Sequence, residues 1–179
     1  MAEAFSNKIA RAVGVVTTSS AGSIGVTTNL ITGISTTNVT VGDLVDNAQY
    51  IAGTKVSSIG VNSTTCDRNS TNLTAATSQS VKYLGLTSCY TSAASTKSIL
   101  IGGTFANNTN SQVNVTVSVY DNSATSEVAI ASKIPVPNGS SFVISDAGKT
   151  VLESLDAIRV YCDTANALDV SLSILTGVS

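Results

Sequence analysis

Apolar and polar residues alternate strictly in two stretches of the chain. Val113, Val115, Val117 and Val119 interleave with Asn114, Thr116 and Ser118, and Leu168, Val170, Leu172 and Ile174 interleave with Asp169, Ser171 and Ser173. A period of two puts every apolar side chain on one face of an extended segment, so both stretches read as strands with one buried face. Less regular apolar runs over 82–90, 98–105, 127–134, 141–144, 150–153 and 157–162 read as further strands, because turn residues at 107–110, 121–123, 137–139 and 146–148 punctuate them. About eight short strands at roughly 8 to 12 residue spacing, with no helical period between them, predict an all-β antiparallel β-sandwich. A jelly-roll-like arrangement is preferred to an immunoglobulin-like one.

The pattern changes upstream of that region. Residues 22–77 carry shorter apolar clusters (30–34, 39–45 and 56–61) among denser Thr, Ser and Asn, and read as a small β module of their own. The polar run from Gly60 to Ser80 reads as a loop or linker into the sandwich. In the first residues Phe5, Ile9 and Val13 recur every four positions while Ser6, Asn7, Lys8 and Arg11 lie off that line, which permits a short amphipathic helix or an extended arm. A helix this short is marginal unless something buries its apolar side, so these three residues are candidates for docking on a neighbouring subunit as well as on their own domain. The expected organisation is therefore an N-terminal arm at 1–21, the module at 22–77 and the sandwich at 78–179.

Composition narrows the chemistry. Charged residues are 11% of the 179 positions, whereas soluble domains average roughly 25%, and Ser, Thr and Asn supply about a third. Hydroxyls and amides must keep the surface wet. The chain has no His, which removes the commonest general base and zinc ligand and with them Ser-His-Asp and Cys-His catalysis. Nine basic residues scattered singly against 11 acidic ones form no stripe for phosphates, so nucleic acid is not an expected partner. No apolar run approaches the roughly 18 residues of a membrane span or resembles a signal core, so no membrane association and synthesis in the cytoplasm are expected.

Residues that could carry catalysis are few. The acidic pairs Asp43 with Asp46 and Glu153 with Asp156 stand three apart at strand ends and turns, where they would be solvated and would not form an acid–base dyad. No run of clustered oxygen ligands suggests a Ca²⁺ loop, and no metal or cofactor is expected. Cys66, Cys89 and Cys162 are odd in number and lack CxxC spacing, so they read as reduced thiols. Cys162 follows Ile158 and Val160 inward, whereas Cys66, beside Asp67 and Arg68, is the one expected to be exposed. Gly102 and Gly103 inside a strand read as a bulge or a close backbone approach. What remains is a hydroxyl-rich β protein suited to packing into an assembly.

Two segments carry a resemblance. Residues 29–60, "NLITGISTTNVTVGDLVDNAQYIAGTKVSSIG", resemble a short β motif of bacteriophage tail, fibre and other virion proteins. Residues 97–176, including "TKSILIGGTFANNTNSQVNVTVSVYD", "ASKIPVPNGSSFVI" and "KTVLESLDAIRVYCDTANALDVSLSIL", together with "MAEAFSNKIARAVG" at the start, resemble small virion structural proteins of tailed phages, especially those of marine cyanobacteria. The chain departs from that pattern at 154–157, where "SLDA" stands in place of the usual "AGDS". The resemblance implies a non-enzymatic virion subunit assembled in the host cytoplasm, a symmetric homo-oligomer whose partners are the major capsid protein or neck and tail proteins. Capsid decoration is the leading expectation, ahead of a neck, collar or tail and fibre component or a host-surface-binding module.

Overall fold

The computed structural model describes residues 3–11, 14 and 16–178, with backbone alone for 146–148. The strands run in chain order as β1 (Ala4–Arg11), β2 (Val16–Ile24), β3 (Leu30–Thr32), β4 (Leu44–Asp46), β5 (Val56–Gly60), β6 (Ser63–Cys66), β7 (Ala76–Leu84), β8 (Thr87–Thr91), β9 (Lys97–Asn107), β10 (Val113–Asp121), β11 (Ser126–Val136), β12 (Ser141–Leu152), β13 (Ala157–Cys162) and β14 (Leu168–Val178). Among the described residues there is no helix, and every strand pairing is antiparallel. The chain divides into two compact units. The larger takes Met1–Val13, Thr87–Cys162 and Asn166–Ser179, and the smaller takes Gly14–Leu86 with Asp163–Ala165.

In the larger unit two four-stranded sheets, ordered β1-β14-β9-β12 and β11-β10-β13-β8, enclose one core. The pairing is nested: the first strand of the unit lies beside the last, β8 beside β13, β9 beside β12 and β10 beside β11. The alternating valines of β10 and the Leu168–Ile174 stripe of β14 point inward, joined by Leu100, Phe105, Leu152, Ile158 and Val160, all buried. Phe105 stacks on Phe142 with ring centroids 5.8 Å apart. A Cβ on Gly103 would lie 2.7 Å from Leu172 Cδ2, and one on Gly102 would lie 2.9 Å from the Ile144 carbonyl oxygen. Neighbouring atoms thus occupy the space a larger residue would need, and the expected close approach is what the glycines serve. The second face of β10 is covered as well, since Thr116 and Ser118 are buried.

The smaller unit is one sheet ordered β4-β7-β2-β3-β6-β5. Its two ends meet: Leu44 bridges Lys55, Val45 N–H donates to Thr54 O at 2.8 Å and Val56 N–H donates to Asp43 O at 3.0 Å. The sheet closes on itself around Ile24, Ile31, Val45, Tyr50, Val56, Cys66, Val81 and Tyr83. Closure removes the free edges that a short sheet of this size would otherwise expose.

Several expectations are corrected. Residues 4–11 form no helix and no separate arm: they pair in unbroken register with β14 as an edge strand, because alternate burial along β1 follows a period of two and Ala10 packs on the sandwich core. Val13 lies outside the described residues. The expected limits at 21/22 and 77/78 fall inside β2 and β7, which pair with each other from Val16↔Leu84 to Ile24↔Ala76. The stretch expected as a linker contains β6 and part of β7, and the single strand expected at 82–90 is the end of β7 followed by β8.

Candidate docking face

The outer face of the β1-β14-β9-β12 sheet is the most distinctive surface of the larger unit. Strand register lines up its outward residues in rows across all four strands. Phe5, Leu175, Ile99 and Val151 form one continuous apolar row. Two residues along the strands, Asn7, Ser173, Gly102 and Ser145 form a small polar row, followed by Ile9, Ser171, Thr104 and Val143, and then by Arg11, Asp169, Ala106 and Ser141. Phe5 and Ile9 are 80% and 81% exposed, and Val143 and Val151 are 53% and 54% exposed. An open groove of about 570 Å³ runs beside Ile9 and Arg11 over Thr104, Ala106, Asp169 and Ser171. At its end Arg11 Nε stands 3.4 Å from Asp169 Oδ1. Ordinary surfaces scatter large apolar residues singly, whereas this one aligns them on a sheet face. Of the three residues singled out in the sequence, β1 places Phe5 and Ile9 together on this face, with Val13 outside the described residues.

Asp43 and Asp156 are spent on turn donors. Asp43, expected to be solvated, is buried and accepts the Thr40 N–H and hydroxyl, each at 2.8 Å. It fixes the turn that enters β4, where Gly42 has φ +96°. Asp156 is likewise buried: Oδ1 accepts Asn122 N–H and Oδ2 accepts Glu153 N–H, both at 2.9 Å. Both departures have one cause, because a carboxylate that receives two turn donors no longer needs water.

One ionic cluster joins three strands of the β11-β10-β13-β8 sheet. Glu127 Oε2 accepts Arg159 Nη1 at 2.8 Å, while Oε1 accepts the Tyr161 hydroxyl at 3.0 Å and the Ser118 hydroxyl. The Arg159 guanidinium lies 3.7 Å above the Tyr120 ring centroid. The Glu127 side chain is 4% exposed and that of Arg159 21%. By accepting from three donors, Glu127 ties β11 to β13 across β10.

Burial favours the neutral form of the Cys66 and Cys89 thiols. Cys66, expected to be exposed, is buried in the closed sheet beside Tyr50 and Tyr83, because β6 turns it inward between Thr65 and Asp67. Burial pushes the Cys66 thiol up to about 11 and the Cys89 thiol up to about 12. Burial also raises Tyr50, and it raises Tyr83 to about 12 although the Tyr83 hydroxyl meets Thr64 Oγ1 at 2.8 Å. A neutral buried thiol behaves as a small apolar side chain. Among the described residues no three His, Cys, Asp or Glu side chains gather where a metal ion would sit.

Comparison with protein-family models, with curated proteins and with solved structures finds no match.

Proposed function

We propose that this chain is a non-enzymatic structural subunit of a tailed-phage particle, a capsid decoration protein whose larger unit is a jelly roll. The jelly-roll reading is supported by the strand order. Eight strands paired first with last, second with seventh, third with sixth and fourth with fifth are what a long hairpin yields when it is wrapped into two sheets, the arrangement used by capsid and lectin domains. The observation that carries the role is the outer β1-β14-β9-β12 face, with Phe5 and Ile9 exposed in register with Val151 and Val143. Such a face gains free energy when a partner covers it, and a protein that binds across an assembled shell stabilises it by mass action.

The test has two parts. Quantitative mass spectrometry of purified particles should find hundreds of copies for a shell protein, against roughly 5 to 20 for a neck, collar or tail position. Absence from particles refutes the reading. Phe5→Ser with Ile9→Ser should lower the copy number while the isolated protein keeps its β-sheet circular dichroism. Unchanged incorporation of that variant removes the face from the interface.

A second reading, a host-surface-binding module, draws support from the smaller unit, which is closed on itself and exposes Val61 and Leu73 at 91% and 87%. Its partner would be a surface component of the host cell, contacted through loops.

A further inference from the structure

The sandwich has four edge strands, and three of them are blunted. β12 breaks register between Ser145 and Thr150, β11 breaks it twice and carries Pro135, and β8 is five residues long with a break opposite Ile158 and Arg159. β1 alone among them pairs without interruption over eight residues, and it ends its sheet. Its other side presents a regular row of backbone N–H and C=O groups, the feature that invites a further strand.

The sequence of β1 specifies which strand. Read from Glu3 to Arg11 it is Glu-Ala-Phe-Ser-Asn-Lys-Ile-Ala-Arg, which is palindromic in residue class about Asn7. We propose that β1 pairs antiparallel with β1 of a second copy of this chain across a twofold axis at Asn7, joining two four-stranded sheets into one of eight strands. In that register Phe5 faces Ile9 of the second copy, Ala4 faces Ala10, Ser6 faces Lys8 and Glu3 faces Arg11, with each pair repeated by the axis. Facing residues in an antiparallel pair share a sheet face, so apolar meets apolar on the outer side and opposite charges meet at both ends.

Neighbouring registers that keep the faces matched are worse. Moving the axis to Lys8 sets two ammonium groups against each other and Phe5 against Arg11, and moving it to Ser6 sets Phe5 against Asn7 and Glu3 against Ile9. The twofold at Asn7 also continues the apolar row Val151, Ile99, Leu175 and Phe5 into Ile9 of the second copy, beyond which Ser171 and Thr104 lead to Val143, enlarging the outer face. The pairing stands on the register of β1 and holds whether or not the chain belongs to a phage.

The test uses the full chain in solution. Sedimentation should show a dimer, and Asn7→Cys should form an intermolecular disulfide on mild oxidation, because residues facing each other across the axis fall within bridging distance. Ser6→Cys and Lys8→Cys should each stay unlinked, while the two together in one chain should cross-link. Arg11→Glu should weaken the dimer, and adding Glu3→Arg should restore it even though the Arg11–Asp169 pair is still missing. A monomer at all concentrations overturns the proposal, as does a dimer in which Asn7→Cys remains unlinked. Copy number in particles is measured separately, so failure of the pairing and failure of the virion role are told apart.

Discussion

Leu155 offers a test in which the usual order of two substitutions should invert. It sits third in the turn Glu153–Asp156, closed by Asp156 N–H donating to Glu153 O at 3.2 Å, and it adopts φ +67°. Left-handed backbone costs an L-residue roughly 1–2 kcal/mol because Cβ crowds the following carbonyl. The turn cannot relax away from it, since the Asp156 carboxylate receives Glu153 and Asn122 N–H and the Ser154 hydroxyl accepts Ser95 N–H at 3.0 Å. Leu155 is 44% exposed, so truncating it to Ala forfeits about half of a buried leucine, roughly 1 kcal/mol, and keeps the strain. Leu155→Gly forfeits the same side chain and adds roughly 0.5–1 kcal/mol of unfolded-chain entropy, but it releases the roughly 1–2 kcal/mol of left-handed strain. Glycine should therefore be more stable than alanine here by about 0.5–1 kcal/mol, whereas at an ordinary strand or helix position it is less stable by that amount. Urea unfolding followed by far-ultraviolet circular dichroism measures the two midpoints at equal slope. An alanine variant as stable as the glycine variant, or more so, would refute the reasoning.

Two further outcomes follow from burial. Val117→Asp places a carboxylate in the sandwich core, where Val117 is 0% exposed, and should cost several kcal/mol and abolish cooperative unfolding of that unit; an unchanged melting curve would mean that the inward face is misassigned. The Cys66 and Cys89 thiols are raised from the ordinary 9.0 to about 11 and about 12, so the unfolded chain ionises first: their contribution is intact below pH about 9 and is lost as pH rises from there through the folded values. Denaturation midpoints should decline over that interval, Cys89→Ser should lessen the decline, and a profile unaffected by that substitution would contradict the assigned burial.

The larger unit was legible in the sequence where one face is buried and the other is wet. The valines of β10 and the Leu168–Ile174 stripe alternate cleanly, and six of the eight sandwich strands are matched by the apolar runs. β12 was read as two pieces because Asp146 to Lys149 break its register with β9, a bulge that looks like a turn in one dimension. The smaller unit was legible only as a β region. β2, VTTSSAGSI, and β7, ATSQSVKYL, bury few apolar side chains, because their neighbours in a small closed sheet are satisfied by backbone pairing and hydroxyls. Every fourth position of β1 also coincides with every second pair of a strand, so the spacing of Phe5 and Ile9 fits either period. The sequence places Phe5 and Ile9 on one apolar line, but the exposed face they share with Ile99, Val143, Val151 and Leu175 depends on a strand order that local pattern does not encode.

The connection between β1 and β8 allows the two units to be separated experimentally. The smaller unit enters through Gly14 and leaves through Gly85, and these ends touch: Val16 pairs with Leu84, and a Cβ added at Gly14 would collide with the Gly85 carbonyl. An insertion whose ends meet makes little demand on the path of its host, which is why such sites tolerate insertion and removal. Sheets of a sandwich lie about 10 Å apart, a gap that a flexible linker of about eight Gly and Ser residues spans. A chain in which this linker replaces Gly14–Leu86 should keep the nested pairing and melt cooperatively as a β protein; loss of cooperative unfolding would show that the sandwich depends on the smaller unit. In particles, the shortened chain assembled with lost adsorption favours host binding by the smaller unit, while assembly with normal adsorption assigns it no host contact. Failure to assemble, in a shortened chain that still folds, places part of the docking surface on the smaller unit and not on the outer sheet face alone.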